Sequence, residues 1–294
     1  MDNRKQGKII KGVGGFYTVL TENGERFTVK ARGLFRKLGQ TPLPGDDVEF
    51  TPGKKGEGFM ERIFERRSEL LRPALANVDC LLICVSTTEP APDLELADKL
   101  LLYCRRQGIE PVIVINKCDG GITPEAAAIS AQYAHAAKVF AVSAETGFGM
   151  DALAQLFSGR TAAFAGQSAV GKSSLINALL GLSLKTGELS QKTERGRHTT
   201  RHAELIPTPA GGLIADTPGF SMLESVPLEP EQIPALYPEF VREDGCRFTG
   251  CMHLSEPDCA VKAAVSQGRI DPKRYERYKK IALDAIEARR HKYD

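Results

Sequence analysis

Apolar residues are spaced in two different ways along this chain. Between residue 7 and about 66, short runs of alternating apolar and polar residues (Gly7–Ile10, Phe16–Leu20, Arg26–Lys30, Asp47–Phe50, Phe59–Ile63) are divided by turn formers such as Asn23-Gly24 and Pro44-Gly45-Asp46. Such a series of short strands predicts a small β-barrel, with an OB-type barrel favoured and an SH3-like one left open by the spacing. The charged stretch Glu65–Arg72 reads as a linker. After it, continuous apolar runs at Val78–Ser86, Pro111–Asn116, Lys138–Ser143 and Thr161–Ala165 alternate with helical patterns at Asp93–Gln107, Pro124–Ala137 and Lys172–Leu180, the signature of an α/β domain with a mostly parallel sheet. His202–Pro207 and Gly212–Ala215, joined by Pro209-Ala210-Gly211, read as a hairpin adding one antiparallel strand. Beyond about residue 222 come a Pro-rich connection, a Cys/His cluster and amphipathic segments, which predict a small, mainly helical module. The expected division is 1–66, 67–222 and 223–294.

Composition narrows the class. The 294 residues suffice for two or three domains, and 42% hydrophobic with 26% charged residues excludes a disordered or fibrous chain. The first residues are polar and no run approaches the roughly 18 apolar residues of a membrane span, so neither export nor a membrane anchor is expected and a cytoplasmic location is. Cys80, Cys84, Cys104 and Cys118, four of seven cysteines, lie in or beside apolar segments, which suits a reducing compartment. Net charge is only +2. Basic residues nevertheless gather near the N-terminus (Arg32, Arg36, Lys37, Lys54, Lys55, Arg62, Arg66, Arg67) and the C-terminus (Lys273, Arg274, Arg277, Lys279, Lys280, Arg289, Arg290, Lys292); nucleic-acid contact and solvated faces both explain them.

Gly166-Gln167-Ser168-Ala169-Val170-Gly171-Lys172-Ser173 matches the full P-loop pattern between an apolar strand and a helix that continues through Ser174. Loop N–H groups cradle phosphates there, Lys172 reaches the outer phosphate oxygens, and Ser173 offers a hydroxyl to Mg2+. Asn116-Lys117-Cys118-Asp119 closes a buried strand. Asp119 is expected to accept both the ring N–H and the exocyclic amine of guanine, a donor pair adenine lacks, with Lys117 along the base plane and Asn116 bracing neighbouring loops. A kinase using ATP is the alternative that Asp119 argues against. Ser143-Ala144 ends the next strand and is expected to present backbone N–H groups to the guanine oxygen. Asp216-Thr217-Pro218-Gly219 follows the hairpin strand, bringing Asp216 near Mg2+ and the Gly219 N–H towards a γ-phosphate. In Gly196-Arg197-His198-Thr199-Thr200, Thr200, or failing it Thr199, is expected to complete the Mg2+ shell. Phe220 follows Gly219, where many GTPases carry a water-orienting glutamine, so slow unassisted hydrolysis is expected; His198 either positions that water or is an ordinary loop histidine.

The order of these motifs is permuted: the base-recognition strings precede the P-loop, and the chain leaves the switch after Gly219 directly into the C-terminal module. There, Cys246, Cys251, His253 and Cys259 form C-x4-C-x-H-x5-C, a complete tetrahedral set for structural Zn2+ with no open position for water. Tyr275-Glu276-Arg277-Tyr278-Lys279-Lys280 interleaves aromatics and bases, suited either to stacking on RNA or to packing its tyrosines inward.

The barrel, the permuted nucleotide motifs, the Arg197-His198-Thr199-Thr200 segment and the C-x4-C-x-H-x5-C string together resemble the RsgA (YjeQ) family of bacterial GTPases over nearly the whole chain. That resemblance implies a GTPase, converting GTP to GDP and phosphate, that is stimulated by the small ribosomal subunit and acts late in its maturation, with the barrel and zinc module on ribosomal RNA. Clamping so large a partner needs no self-association, and a monomer is expected. The rival from another class is an RNA-binding assembly factor whose affinity GTP gates, hydrolysis being incidental.

Overall fold

In the computed structural model, which describes residues 3–37, 39–53, 57–71, 73–181, 203–216, 228–241 and 245–293, the five N-terminal runs are β1 (Lys5–Val13), β2 (Phe16–Leu20), β3 (Arg26–Ala31), β4 (Asp47–Thr51) and β5 (Glu57–Ile63), with a short helix α1 (Gly33–Lys37) between β3 and β4. Their order is β1-β2-β3-β5-β4, and β4 returns to pair antiparallel with β1, closing the barrel in OB-type order. Every second residue turns inward, so Ile9, Val19, Val29, Val48, Phe50 and Met60 fill the interior.

The expected linker is not plain coil. It contains β6 (Glu69–Leu71), which pairs with β7 (Ala74–Ala76) just beyond it, and Leu70 and Leu75 of this pair are wholly buried against the next domain. Three-residue strands are too short to show a period. The α/β domain then follows as β8 (Cys80–Ser86), α2 (Leu94–Arg106), β9 (Glu110–Asn116), α3 (Pro124–Tyr133), β10 (Lys138–Ala141), α4 (Met150–Gln155), β11 (Thr161–Gly166), α5 (Lys172–Leu179), β12 (Glu204–Pro207) and β13 (Leu213–Asp216). Parallel pairing runs β10-β9-β8-β11-β13, and β12 adds antiparallel to β13 as the hairpin predicts. Because helices cover both faces, β8 is buried at all seven positions, which explains why it reads as unbroken apolar sequence. The six-residue α4 went unpredicted, being too short for a helical repeat to register.

Two joints had no sequence signal. β12 also pairs with β1, Lys11 opposite Glu204 with their side chains in an ion pair of 2.5 Å, so barrel and parallel sheet form one continuous sheet. The C-terminal module consists of 3-10 turns at Pro230–Gln232 and Pro234–Leu236, α6 (Pro238–Val241), α7 (Ala260–Ser266) and α8 (Pro272–Tyr293). It packs on the outer face of α2, where Leu102 joins its core and Asp98, with no exposed surface, accepts from Arg274, from Arg277 Nε at 2.6 Å and from Tyr133 Oη at 2.7 Å. Helix α2 is thus buried on both sides, between sheet and module.

Among the described residues no helix is long and apolar enough to cross a membrane. Burial pushes the Cys80 and Cys84 thiols up to about 12, so both sit in the core as protonated apolar groups.

Candidate functional site

The carboxyl ends of the parallel strands gather the predicted nucleotide residues. β11 ends in Gly166, and the loop that follows re-enters α5 at Lys172. Three residues of this loop have positive φ: Gly166 (129°), Ala169 (64°) and Gly171 (91°). At Gly171 conformation and space agree, since an added Cβ would lie 2.3 Å from Asn116 Nδ2. At Gly166 it would lie 2.2 Å from the Cys84 carbonyl oxygen, so the loop must begin on glycine to pass over β8.

The loop's amide groups and the start of α5 form a concave donor surface of the kind that holds phosphate. Lys172 is half-buried, its ammonium donating to the carbonyls of Gly166 at 2.8 Å and Gln167 at 2.6 Å. Burial pushes its pKa down, though the nearby Cys84 opposes this. Ser168, Ala169 and Ser173 are exposed at the mouth, Ser174 is half-buried behind them, and Val170 is buried as the loop's anchor to the core.

Asn116 ties this loop to the base-recognition strings. Its Nδ2 donates to the Val170 carbonyl at 2.9 Å, and its Oδ1 accepts from the Ala144 N–H at 3.3 Å, so one buried amide spans three segments as the bracing role requires. Asp119 is exposed at the rim, with Oδ1 accepting from Ser143 Oγ at 2.5 Å. Ser143 Oγ in turn accepts from the N–H groups of Glu145 (3.2 Å) and Thr146 (3.0 Å). The Ser143 N–H is occupied by the Phe148 carbonyl at 2.9 Å, which leaves the longer Ala144 bond as the one of the expected pair that a base oxygen can share. Cys118 points away: its thiol is buried and donates to the Ile115 carbonyl, so it brings only backbone to the site. Lys117, at φ 66°, reaches the Glu89 carbonyl oxygen, a partner no motif indicates.

Asp216 is the last residue of β13, which runs parallel to β11 in the register Thr161–Leu213 and Ala162–Ile214 and so ends beside the strand that leads into the loop. His198, Thr199, Thr200, Gly219 and Phe220 lie outside the described residues.

A second site lies in the C-terminal module. The ligand atoms of Cys246, Cys251, His253 and Cys259 all fall within 4.8 Å of one another. Cys246 Sγ is 3.9 Å from Cys259 Sγ and 3.6 Å from His253 Nδ1, and Cys259 Sγ is 3.3 Å from His253 Nδ1. A tetrahedral zinc ion with Zn–S of about 2.3 Å and Zn–N of about 2.0 Å places its ligand atoms about 3.5–3.8 Å apart, close to the three distances among Cys246, His253 and Cys259, so three thiols and an imidazole stand where they could hold such an ion. Glu256 braces the loop, accepting from the N–H groups of Met252 (2.6 Å) and Leu254 (2.8 Å). Burial alone would raise its pKa, but these donors and His253 hold it below the usual carboxylate value.

The choice left open for the Tyr275–Lys280 stretch is resolved here. Tyr275 and Tyr278 are buried, their hydroxyls donating to the backbone oxygens of His253 (2.7 Å) and Met252, so they pack behind the Cys/His loop and are not free for RNA. Much of the C-terminal basic cluster is likewise paired: Arg274 with Asp98 and Glu239, Arg277 with Asp98, Lys279 with Glu276, Lys280 with Glu95 and Arg289 with Glu231.

With this geometry in hand, known proteins supply a comparison. The family model described as RsgA GTPase matches residues 63–226, and the one described as RsgA N-terminal domain matches residues 6–60. Two relatives, each named small ribosomal subunit biogenesis GTPase RsgA, are 46% identical: the protein of Geobacillus thermodenitrificans over 279 residues (93% of this chain, 94% of the relative) and that of Moorella thermoacetica over 284 residues (96% and 97%). Among solved structures, YjeQ from Thermotoga maritima superposes with a TM-score of 0.85 at 34% identity, covering 96% of this chain and 99% of that one. YloQ, titled a circularly permuted GTPase, gives 0.81 at 33% identity, covering 98% and 96%.

Proposed function

This chain belongs to the RsgA GTPase family, and from that premise we propose that it hydrolyses GTP to GDP and phosphate on the small ribosomal subunit, late in that subunit's maturation, in the cytoplasm and as a monomer. In this reading residues 1–66 form the RNA-contacting barrel, 67–222 the nucleotide switch and 223–294 the zinc module.

The observation that carries the reading is the bridge from Asn116 to both the phosphate loop and the Ser143-Ala144 turn. It holds a carboxylate for a purine edge and an amide cradle for phosphates in one fixed relation, which is what a switch specific for one nucleotide requires. Asp119 accepts from the guanine N–H groups, oriented by Ser143. Lys117 lies along the base, Gly166 to Ser174 wrap the phosphates, and Lys172 exchanges its two carbonyl partners for phosphate oxygens, neutralising charge as the terminal bond breaks. Ser173, Asp216 and Thr200 are the hard oxygen donors for Mg2+, which supplies charge stabilisation to the phosphates when bound. His198 is the candidate for positioning the attacking water. Cys246, Cys251, His253 and Cys259 hold one structural Zn2+, which fixes the loop that α8 packs against.

Support for the partner comes from the relatives' names and from the order of the motifs, in which the Asp216-Thr217-Pro218-Gly219 switch is followed in sequence by the C-terminal module with no further nucleotide motif between. Equilibrium competition among GTP, GDP and ATP, followed by co-sedimentation with small subunits in a non-hydrolysable GTP analogue, tests the reading. GTP and GDP displace a labelled guanine nucleotide and ATP does not; displacement by ATP, or equal pelleting with large subunits, refutes it.

A further inference from the structure

Among the described residues nine large apolar side chains are exposed, and three of them lie in one line across the barrel. Single exposed apolar residues need no explanation, whereas a row does. Strand register sets Val13 opposite Phe16, Phe16 opposite Lys30 and Lys30 opposite Phe59, so one rung of three adjacent pairings carries apolar, aromatic, cationic and aromatic groups in turn. Val13 is 47% exposed, Phe16 41% and Phe59 51%. The alternation of the strands explains which way they face: Tyr17, Val29 and Met60, the strand neighbours of Phe16, Lys30 and Phe59, go to the barrel core, so those three face outward by register, and Val13 does so as the cross-strand partner of Phe16.

Lys30 is set over the Phe16 ring, its Nζ 4.7 Å from the centroid, and Glu57 holds the same ammonium at 2.8 Å. The approach is open. The two-residue turn into Phe16 is Gly14-Gly15, both at positive φ, with no atom within 4 Å of where a Cβ would be on either. The surrounding charge favours a polyanion: residues 1–67 contain fourteen Lys and Arg against nine Asp and Glu, a surplus of five in a chain whose net charge is +2.

We infer that the Phe16–Lys30–Phe59 row is a stacking platform for single-stranded RNA, the two rings taking unpaired bases and Lys30 the phosphate between them. This rests on the proposed ribosomal role and adds to it which face of the barrel is used and what form of RNA it takes. Duplex RNA presents phosphates and hydroxyls but hides its base faces, so it has nothing to lay on two exposed rings. A flat base on an aromatic ring gains affinity without releasing counterions, whereas a lysine–phosphate contact releases them. The two contributions therefore separate in a salt titration.

The test is fluorescence anisotropy of the full-length protein with a labelled 12-nucleotide RNA free of self-complementarity, and with the same strand in a duplex, across a salt series. In the F16A/F59A double variant, single-strand affinity falls roughly tenfold or more with the salt slope unchanged, and duplex affinity stays the same. K30A lowers the slope by about one charge, and F16W/F59W retains binding. Both phenylalanines are exposed, so an unchanged melting temperature separates the effect from misfolding. Single-strand affinity unchanged in F16A/F59A, or an equal loss for duplex, overturns the inference. So does a double variant that keeps its RNA affinity but no longer co-sediments with small subunits, because the row then docks a ribosomal protein. Failure of the wild type to co-sediment with small subunits bears on the partner and is read separately.

Discussion

Replacing Asp98 by asparagine probes the joint between the GTPase domain and the C-terminal module. The carboxylate has no exposed surface and accepts from Arg274, Arg277 and Tyr133, while the Arg274 side chain is only 2% exposed and lies between the Tyr133 and Tyr237 rings, 4.9 Å from each. Burial disfavours the charge on Arg274, and Asp98 with Glu239 more than restores it. Removing one member of a buried ion pair costs about 3–5 kcal/mol, because the other is left charged in a poor solvent. Asparagine keeps one acceptor oxygen and Glu239 remains on Arg274, so the lower end, about 3 kcal/mol, is expected. At about 2–4 °C per kcal/mol for a cooperative unit of this size, D98N melts about 6–12 °C lower by differential scanning calorimetry. Lys280→Ala, which breaks only the exposed pair with Glu95, leaves the melting temperature unchanged. A D98N protein that melts with the wild type would refute the assignment of this cluster as the anchor of the module.

Other perturbations follow from the two sites. G171A drives a methyl group onto Asn116 and strains a residue at φ 91°, so GTP affinity measured by calorimetry falls at least tenfold while zinc content is retained; normal affinity contradicts the packing argument. N116A releases both the Val170 carbonyl and the Ala144 N–H, and weakens GTP and GDP alike by about 2–3 kcal/mol, which a selective loss of one nucleotide would contradict. Native mass spectrometry is expected to show one zinc ion per wild-type chain and none in C259A, in which proteolysis then cuts within residues 245–260 while GTP affinity persists; a wild type without zinc contradicts the reading. Protons compete with a bound zinc ion for three thiolates and an imidazole, so on the proposed zinc reading the ion would be held at neutral pH and released as pH falls, which metal analysis after dialysis across a pH series checks. Glu256 adds to this: its pKa is depressed in the folded state, so its contribution is present above the ordinary carboxylate value and is lost as pH falls through the lowered one.

Much of this molecule was legible in its sequence because its elements obey simple periods. The barrel strands alternate, the parallel strands are continuously apolar, and the helical pattern from Pro124 is borne out by α3, which the structure shows capped by Thr123 Oγ1 accepting from Ala126 N–H at 3.1 Å. The P-loop pattern and the C-x4-C-x-H-x5-C string were visible because the chemistry they would serve needs fixed spacings, and the structure does bring the four ligand atoms of the latter within 4.8 Å of one another. What stayed hidden depends on distant partners. Nothing marks Asp98 in an amphipathic helix as the acceptor for two arginines more than 170 residues away, or Lys11 as the residue that joins the barrel to β12. The aromatic and basic alternation at Tyr275–Lys280 left two readings open, since one pattern serves a stacking surface and a buried seam equally, and only the burial of both tyrosines decides for the seam.

The most direct test of the central claim is the rate of GTP hydrolysis by the purified protein alone, with small ribosomal subunits and with large ones, at matched salt because phosphate contacts are salt-sensitive. Slow hydrolysis alone, strongly accelerated by the small subunit only, is the predicted result; equal rates in all three would leave a GTPase without its proposed partner.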